Sequence, residues 1–185
     1  MIIIWLVAAQ RLAEAIYAER NARALLAAGA TESGRTHYPL FVLLHAGWIA
    51  ALLLAVPPDT AVSWPLVAFY GVLQAGRGWV MVSLGRLWTT RVVSPPGVAL
   101  VARGPYRFLR HPNYAIVGCE IAVLPLAFGA WEIALAFTVP NLALLGHRIR
   151  IEDRLLASRR TLTLGEGSRA GVIHRNSGTT GYHPR

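Results

Sequence analysis

The chain contains no lysine. All 18 of its basic residues are arginine, set against only 9 acidic residues, for a net charge of +9. Charge is scarce overall: 15% of the 185 residues are charged, against about 25% in a soluble domain of ordinary composition. Cysteine is nearly missing. The single Cys119 has no partner for an intramolecular disulfide, which excludes a disulfide scaffold and leaves the redox compartment unread. The sequence also lacks a glycine-rich dinucleotide fingerprint, a repeat of solenoid length, and a second half that matches the first as in inverted-repeat transporters. The polar bias of a disordered chain is absent, since 55% of residues are hydrophobic. A basic, hydrophobic chain points to nucleic acid or to a membrane, and the placement of the arginines decides between them.

Apolar runs are plentiful. A hydrocarbon core of ~30 Å needs about 20 mostly apolar helical residues. Five segments come near that length: Met1 to about Ala18, Tyr38 to Val56, Ser63 to Leu84, Asn113 to Gly129, and Trp131 to about His147, the last interrupted by Pro140 and Asn141. The first has no basic leader and carries Arg11 and Glu14 within its run, so it reads as a retained helix rather than a cleaved signal. The links alternate in character. Glu19 to His37 holds Arg20, Arg23 and Arg35, Gly85 to Pro112 holds five arginines, and the chain after His147 holds eight; the other two links hold none. The positive-inside rule then predicts an all-α, polytopic bundle of five transmembrane helices, N-terminus outside and C-terminus cytoplasmic. The charge is a topology signal, so no nucleic-acid partner is expected. Residues 1–157 form the expected membrane domain. The segment 158–185, rich in Gly, Ser, Thr and Arg, reads as a loop-like or disordered tail.

Ionisable groups inside a bilayer are costly and face the bundle interior or a watery cavity. At a rise of 1.5 Å per residue, His45, Arg77 and Glu120 each lie roughly 10 Å from the basic side, with Gln74, Arg11, Glu14 and Asn141 in the same half. The expected result is a polar cavity open to the cytoplasm and closed to the outside, with His45, Arg77 and Glu120 on one interior face as substrate-binding residues. A plainer alternative has Arg77 pair with Glu120, and Arg11 with Glu14, as structural glue. Cys119 and the six tryptophans read as packing groups or interface anchors, with Trp64, Trp88 and Trp131 near span ends.

Two stretches carry chemistry. Gly104-Pro105-Tyr106 signals a turn, and His111-Pro112-Asn113-Tyr114 suits a helix start whose open N–H groups can receive an anion. Gly118 leaves the same face clear for a ligand or a helix. At the other end of the chain, Arg148 and Glu152 stand four residues apart in Arg148-Ile149-Arg150-Ile151-Glu152-Asp153 and share a helix face. The plain alternative is a juxtamembrane charge cluster.

The ordered set Leu84-Gly85-Arg86-Leu87-Trp88-Thr89-Thr90, Gly104-Pro105-Tyr106, Arg110-His111-Pro112-Asn113-Tyr114 and Arg148 to Asp153 resembles the isoprenylcysteine carboxyl methyltransferase family, its bacterial branch above all. The resemblance covers about residues 5 to 156. It implies an integral-membrane enzyme that uses S-adenosyl-L-methionine, in a bacterial plasma membrane with the site facing the cytoplasm. It places cofactor contacts at Val98, Ala99, Leu100, Val101, Tyr106, His111, Pro112, Asn113, Tyr114 and Glu152, and puts Arg148 against the substrate as the catalytic residue. No metal is implied. The chain departs from the family in two ways: Asp153 stands where glutamate is usual, and an acidic-aromatic terminal helix of the type Phe-Gly-x-x-Tyr-x-x-Tyr is absent.

The expected activity is O-methylation of a lipophilic acceptor in the membrane, either an isoprenylcysteine-type carboxylate or the hydroxyl of an alkylpyrone- or alkylresorcinol-type lipid. A carboxylate needs no general base, whereas a phenol or enol calls on His111 or Glu152. Alternative readings are a phospholipid N-methyltransferase, an NADPH-dependent membrane reductase of related fold, and a non-catalytic membrane scaffold.

Overall fold

Proline at a helix start, glycine past a helix end and apolar runs between them divide the chain into five long helices. The computed structural model describes the backbone of residues 1–96, 98 and 101–173, and the side chains of these except Thr36 and those after Arg154. Helix α1 is Ile2–Ala27, α2 Tyr38–Ala55, α3 Trp64–Leu84, α4 Pro112–Ala127 and α5 Trp131–Ile173. Pro39, Pro65 and Pro112 occupy the first turns of α2, α3 and α4. Gly29 and Gly129, both at positive φ, follow α1 and α4.

Each of the five apolar segments is therefore helical. Among the described residues, α2 alone has the length and composition to cross a membrane unaided; α4 is apolar but has only 16 residues, roughly 24 Å. Helix α1 runs nine residues beyond its expected end, because nothing between Ala18 and Ala27 breaks a helix. The structure also adds what the expected all-α fold omits: strands β1 (Thr31–Ser33) and β2 (Val92–Ser94), paired antiparallel with Glu32 opposite Val93.

Two compact units are distinguished, Met1–Ile149 and Arg150–Arg185. The second contains the continuation of α5, helical to Ile173 and so past residue 157.

Within the first unit, the main core gathers Ile4, Trp48, Leu52, Ile121, Leu124 and Leu145 from four helices. A smaller cluster joins Ala18, Val80 and Trp88. Trp88 is buried there rather than anchored at an interface: its backbone carbonyl accepts from Asn21 Nδ2 at 2.9 Å, and its ring stacks on Tyr17. Trp64 and Trp131 are exposed at the helix starts, as interface anchors would be. Cys119 is exposed, not packed, because the opposite face of α4 is the one that meets the other helices.

Arg91 fastens the strand pair to the helices. Its Nη2 donates to Glu19 Oε2 at 2.5 Å, its Nη1 donates to Glu32 Oε2 at 3.4 Å, and its guanidinium lies 5.6 Å from the Tyr38 ring centre. Arg23 donates to the other Glu19 oxygen at 2.8 Å. The Arg23 hydrogen bond, with the charge of Arg91 added, holds the Glu19 carboxyl below its ordinary pKa against the opposing cost of burial.

Candidate functional site

Of the polar residues placed at one depth by helical rise, Arg11, Glu14, Gln74, Arg77 and Glu120 meet in one bonded network, which His45 and Asn141 do not join. Arg77 Nε donates to Glu14 Oε2 at 2.8 Å and its Nη1 to Glu120 Oε2 at 3.0 Å. Arg11 closes the figure, with Nη1 on Glu14 Oε2 at 2.9 Å and Nη2 on Glu120 Oε2 at 2.8 Å. Two positive and two negative charges thus cancel inside the bundle. Gln74 donates to Glu120 Oε1 at 2.6 Å, and Gln10 donates to Gln74 at 2.7 Å and Glu14 at 3.0 Å. Helices α1, α3 and α4 are cross-linked by this network. Arg77 and Glu120 therefore spend their charges on each other and on α1.

His45 lies on α2 within the electrostatic reach of Arg11, Arg77 and Glu14. Its Nδ1 donates to the Phe41 carbonyl at 2.9 Å, the only role that a carbonyl partner permits, so Nδ1 carries a hydrogen.

A second group forms where the first turns of α2 and α4 approach α5. Arg148 Nε donates to the Tyr114 hydroxyl at 2.9 Å. The guanidinium lies 5.2 Å from the Phe41 ring centre and 5.7 Å from that of Tyr114. His111 stacks on Tyr114 at 5.4 Å with planes 18° apart. His37 and His147 bring their rings to 4.3 Å. A cation is thus held between aromatic faces, with Nε spent on Tyr114; the planar Nη edge is the part of a guanidinium that meets an anion in a fork.

Pro112 is fully buried and sets the start of α4. The first turn offers fewer open donors than an uncapped helix, because Pro112 has no N–H and Tyr114 N–H donates to the His111 carbonyl. Asn113 Oδ1 is buried without a partner among the described residues. Gly118 receives a helix: a Cβ there would lie 3.4 Å from Leu142 of α5.

The turn at Gly104 packs on α3. Arg103 Nε donates to the Ser83 carbonyl at 2.9 Å, and Gly104 has φ +61° where any Cβ would overlap the Ser83 side chain. Tyr106 packs with the Ala18, Val80 and Trp88 cluster. Val98 is exposed and Val101 half-buried, while Ala99 and Leu100 lie outside the described residues. Glu152 belongs to the second unit, half-buried on α5.

Sequence reasoning missed Phe41, His37 and His147. Phe41 is one apolar residue in an apolar run, and only its contact with Arg148 distinguishes it. His37 and His147 stand at the ends of two of the expected spans, a signal that was present but has meaning only once α2 and α5 are neighbours.

The family model for "Isoprenylcysteine carboxyl methyltransferase (ICMT) family" matches residues 65–158. The chain is also 36% identical over 159 residues to an uncharacterized protein, YpbQ, of Bacillus subtilis (strain 168), covering 84% of this chain and 95% of that protein. The chain belongs to the isoprenylcysteine carboxyl methyltransferase family. No solved structure matches it. This is a family of membrane methyltransferases, and its matched stretch runs from the first turn of α3 through α4 to Arg148 and beyond. The Arg148, Tyr114 and His111 group lies inside that stretch. Phe41 and the α1 side of the charge network lie before it.

Proposed function

We propose that the protein is an S-adenosyl-L-methionine-dependent O-methyltransferase that acts on a lipophilic acceptor from within a bacterial plasma membrane. Five spans, with the Arg148 end of the bundle in the cytoplasm, fit the one-sided distribution of arginine. The observation that carries the reading is Arg148, inside a stretch that matches a methyltransferase family and fixed by Tyr114 Oη and by two aromatic faces, Tyr114 of α4 and Phe41 of α2.

The residues present fit the cofactor. Asn113 supplies a buried acceptor with no protein partner among the described residues, suited to an amine or hydroxyl donor. His111 and Tyr114 offer a stacked aromatic pair beside it. When bound, S-adenosyl-L-methionine supplies an electrophilic sulfonium methyl. Arg148 orients the anionic or hydrogen-bonding head of the acceptor, and Phe41 and Tyr114 hold the guanidinium in place. The neutral Arg/Glu network closes the interior beneath, so that the acceptor's apolar chain is not faced with an unpaired charge.

Equilibrium binding of S-adenosyl-L-homocysteine to the purified full chain tests this. Saturable binding that is lost in His111→Ala and weakened in Asn113→Ala supports it. Binding of NADPH in its place overturns it and points to a reductase.

A further inference from the structure

The link into α4 holds two large apolar side chains out of the fold. Phe108 is 74% exposed and Leu109 54% exposed, side by side just past the short helical turn Gly104–Arg107. Arginines surround the pair. Arg103, Arg107 and Arg110 are all exposed, and no acidic residue occurs in the sequence between Asp59 and Glu120. The Arg107 guanidinium lies 5.9 Å from the Phe108 ring centre, and Arg107 makes no ion pair among the described residues.

The base of this tip is tied down. Arg103 Nε donates to the Ser83 carbonyl at 2.9 Å, Gly104 backs onto the Ser83 side chain, Pro105 is buried, and Tyr106 packs with Val80 and Trp88. The Pro105 carbonyl accepts from both Phe108 and Leu109 N–H at 3.1 Å. Phe108 and Leu109 therefore project from a fixed platform on α3.

The same contacts set the level of the tip. Ser83 stands one residue before the end of α3, and Trp79 and Val82 before it are exposed. A Cβ on Gly104 would lie 3.2 Å from Trp79 Nε1, so the tip continues the apolar outer face of α3 where that helix ends. Trp79 lies roughly 8 Å inside that end, within the band that indoles favour at a membrane–water boundary. Apolar side chains beside unpaired cations match the two layers of a lipid interface, acyl chains below and phosphates above. Water answers the arginines but leaves the apolar pair uncovered.

We propose that the tip Arg107-Phe108-Leu109-Arg110 inserts into the headgroup layer on the arginine-rich side of the bundle and selects anionic phospholipid there. Phe108 and Leu109 reach the acyl boundary, and Arg107 meets the lipid phosphate. The proposal rests on the membrane embedding in the functional reading above, and on neither the reaction nor the acceptor. His111 and Pro112 follow the tip directly, so its depth in the interface sets the depth at which α4 begins.

The test uses the full chain with Cys119→Ala and one new cysteine, at Phe108→Cys, Leu109→Cys or Leu43→Cys, labelled with a bimane fluorophore. Leu43 is exposed on α2, the apolar helix long enough to cross a membrane, and serves as the reference for embedding. The proteins are reconstituted in phosphatidylcholine vesicles that contain a minority of phosphatidylglycerol, with a doxyl quencher carried on one lipid or the other. Labels at 108 and 109 are expected to be quenched most by doxyl groups near the headgroup. At equal mole fraction, labelled phosphatidylglycerol should quench about fivefold better or more. Arg107→Gln, added to the Leu109→Cys chain, should lower that preference by about fivefold, the worth of one arginine near an anionic surface. Molar salt, with a Debye length of ~3 Å, should lower it too. Labels at 108 and 109 that are quenched by aqueous iodide and not by lipid overturn the proposal and leave the tip to a protein partner. Equal quenching by the two lipids, or a preference unchanged in Arg107→Gln, also overturns it. A label at 43 that no lipid quenches strikes the membrane reading itself.

Discussion

Arg77 reaches Glu120 at 3.0 Å between α3 and α4, and both residues are also tied to α1, through Glu14 and Arg11 respectively. Breaking a buried ion pair by removing one partner leaves an uncompensated charge and costs about 3–5 kcal/mol. Glu120→Leu is therefore expected to lower stability by that order. The double variant Arg77→Met with Glu120→Leu retains the Arg11–Glu14 pair in charge balance, so it should recover much of the loss. Thermal melting of the three proteins in one detergent checks this. Additive losses would show that the charges are not a closed set.

The Arg148–Tyr114 bond should be read in the acceptor, not in folding. Tyr114→Phe keeps the ring under the guanidinium and removes only the hydroxyl partner of Nε. A net hydrogen bond to a charged group is worth about 1.5–3 kcal/mol, so an acceptor affinity weaker by roughly tenfold or more is expected. Arg148→Lys keeps the charge but loses the planar fork and should fare worse. Michaelis constants and turnover for a methylated lipid acceptor check both.

Much of this site was legible. Helical rise placed polar groups from all five helices at one depth, and the pairs Arg77–Glu120 and Arg11–Glu14 both form. The crossed pairs, Arg11–Glu120 and Arg77–Glu14, were not legible, because they depend on how α1 lies against α3 and α4. The same limit explains Trp88. Its partners Tyr17 and Asn21 lie at and beyond the expected end of the first span, and only an α1 extended to Ala27 brings them over it. Strands of three residues, as in β1 and β2, are too short to show a period of two.

Gly104 is expected to tolerate no side chain. Its φ of +61° is strained for an L-residue, and a Cβ meets Ser83 as well. Gly129 has φ +71° with nothing within 4 Å. Gly104→Ala should thus cost more than the ~1 kcal/mol that strain alone brings at Gly129→Ala. Melting temperatures of the two variants, side by side, separate overlap from strain.

The Glu19 clamp should give way only in acid. Its folded pKa is lowered, so its contribution is fully present above the unfolded carboxylate value of about 4.3 and fades as pH falls through the folded value. Wild type and Glu19→Gln should differ by a constant amount above roughly pH 5 and converge below it. The difference is small, under about 1 kcal/mol, because Arg23 is mostly exposed. Melting curves across pH check the sign. A gap that widens in acid would contradict it.

In the proposed function, Arg148 serves methyl transfer to a membrane-soluble acceptor. The most direct measurement incubates the purified full chain with methyl-labelled S-adenosyl-L-methionine and a bacterial lipid extract, and counts label in the organic phase. Incorporation is expected to depend on the protein, to be carried by a base-labile ester or a base-stable ether, and to be abolished in Arg148→Met while S-adenosyl-L-homocysteine still binds. Incorporation that persists undiminished in Arg148→Met, or label found only on phospholipid amines, would contradict it.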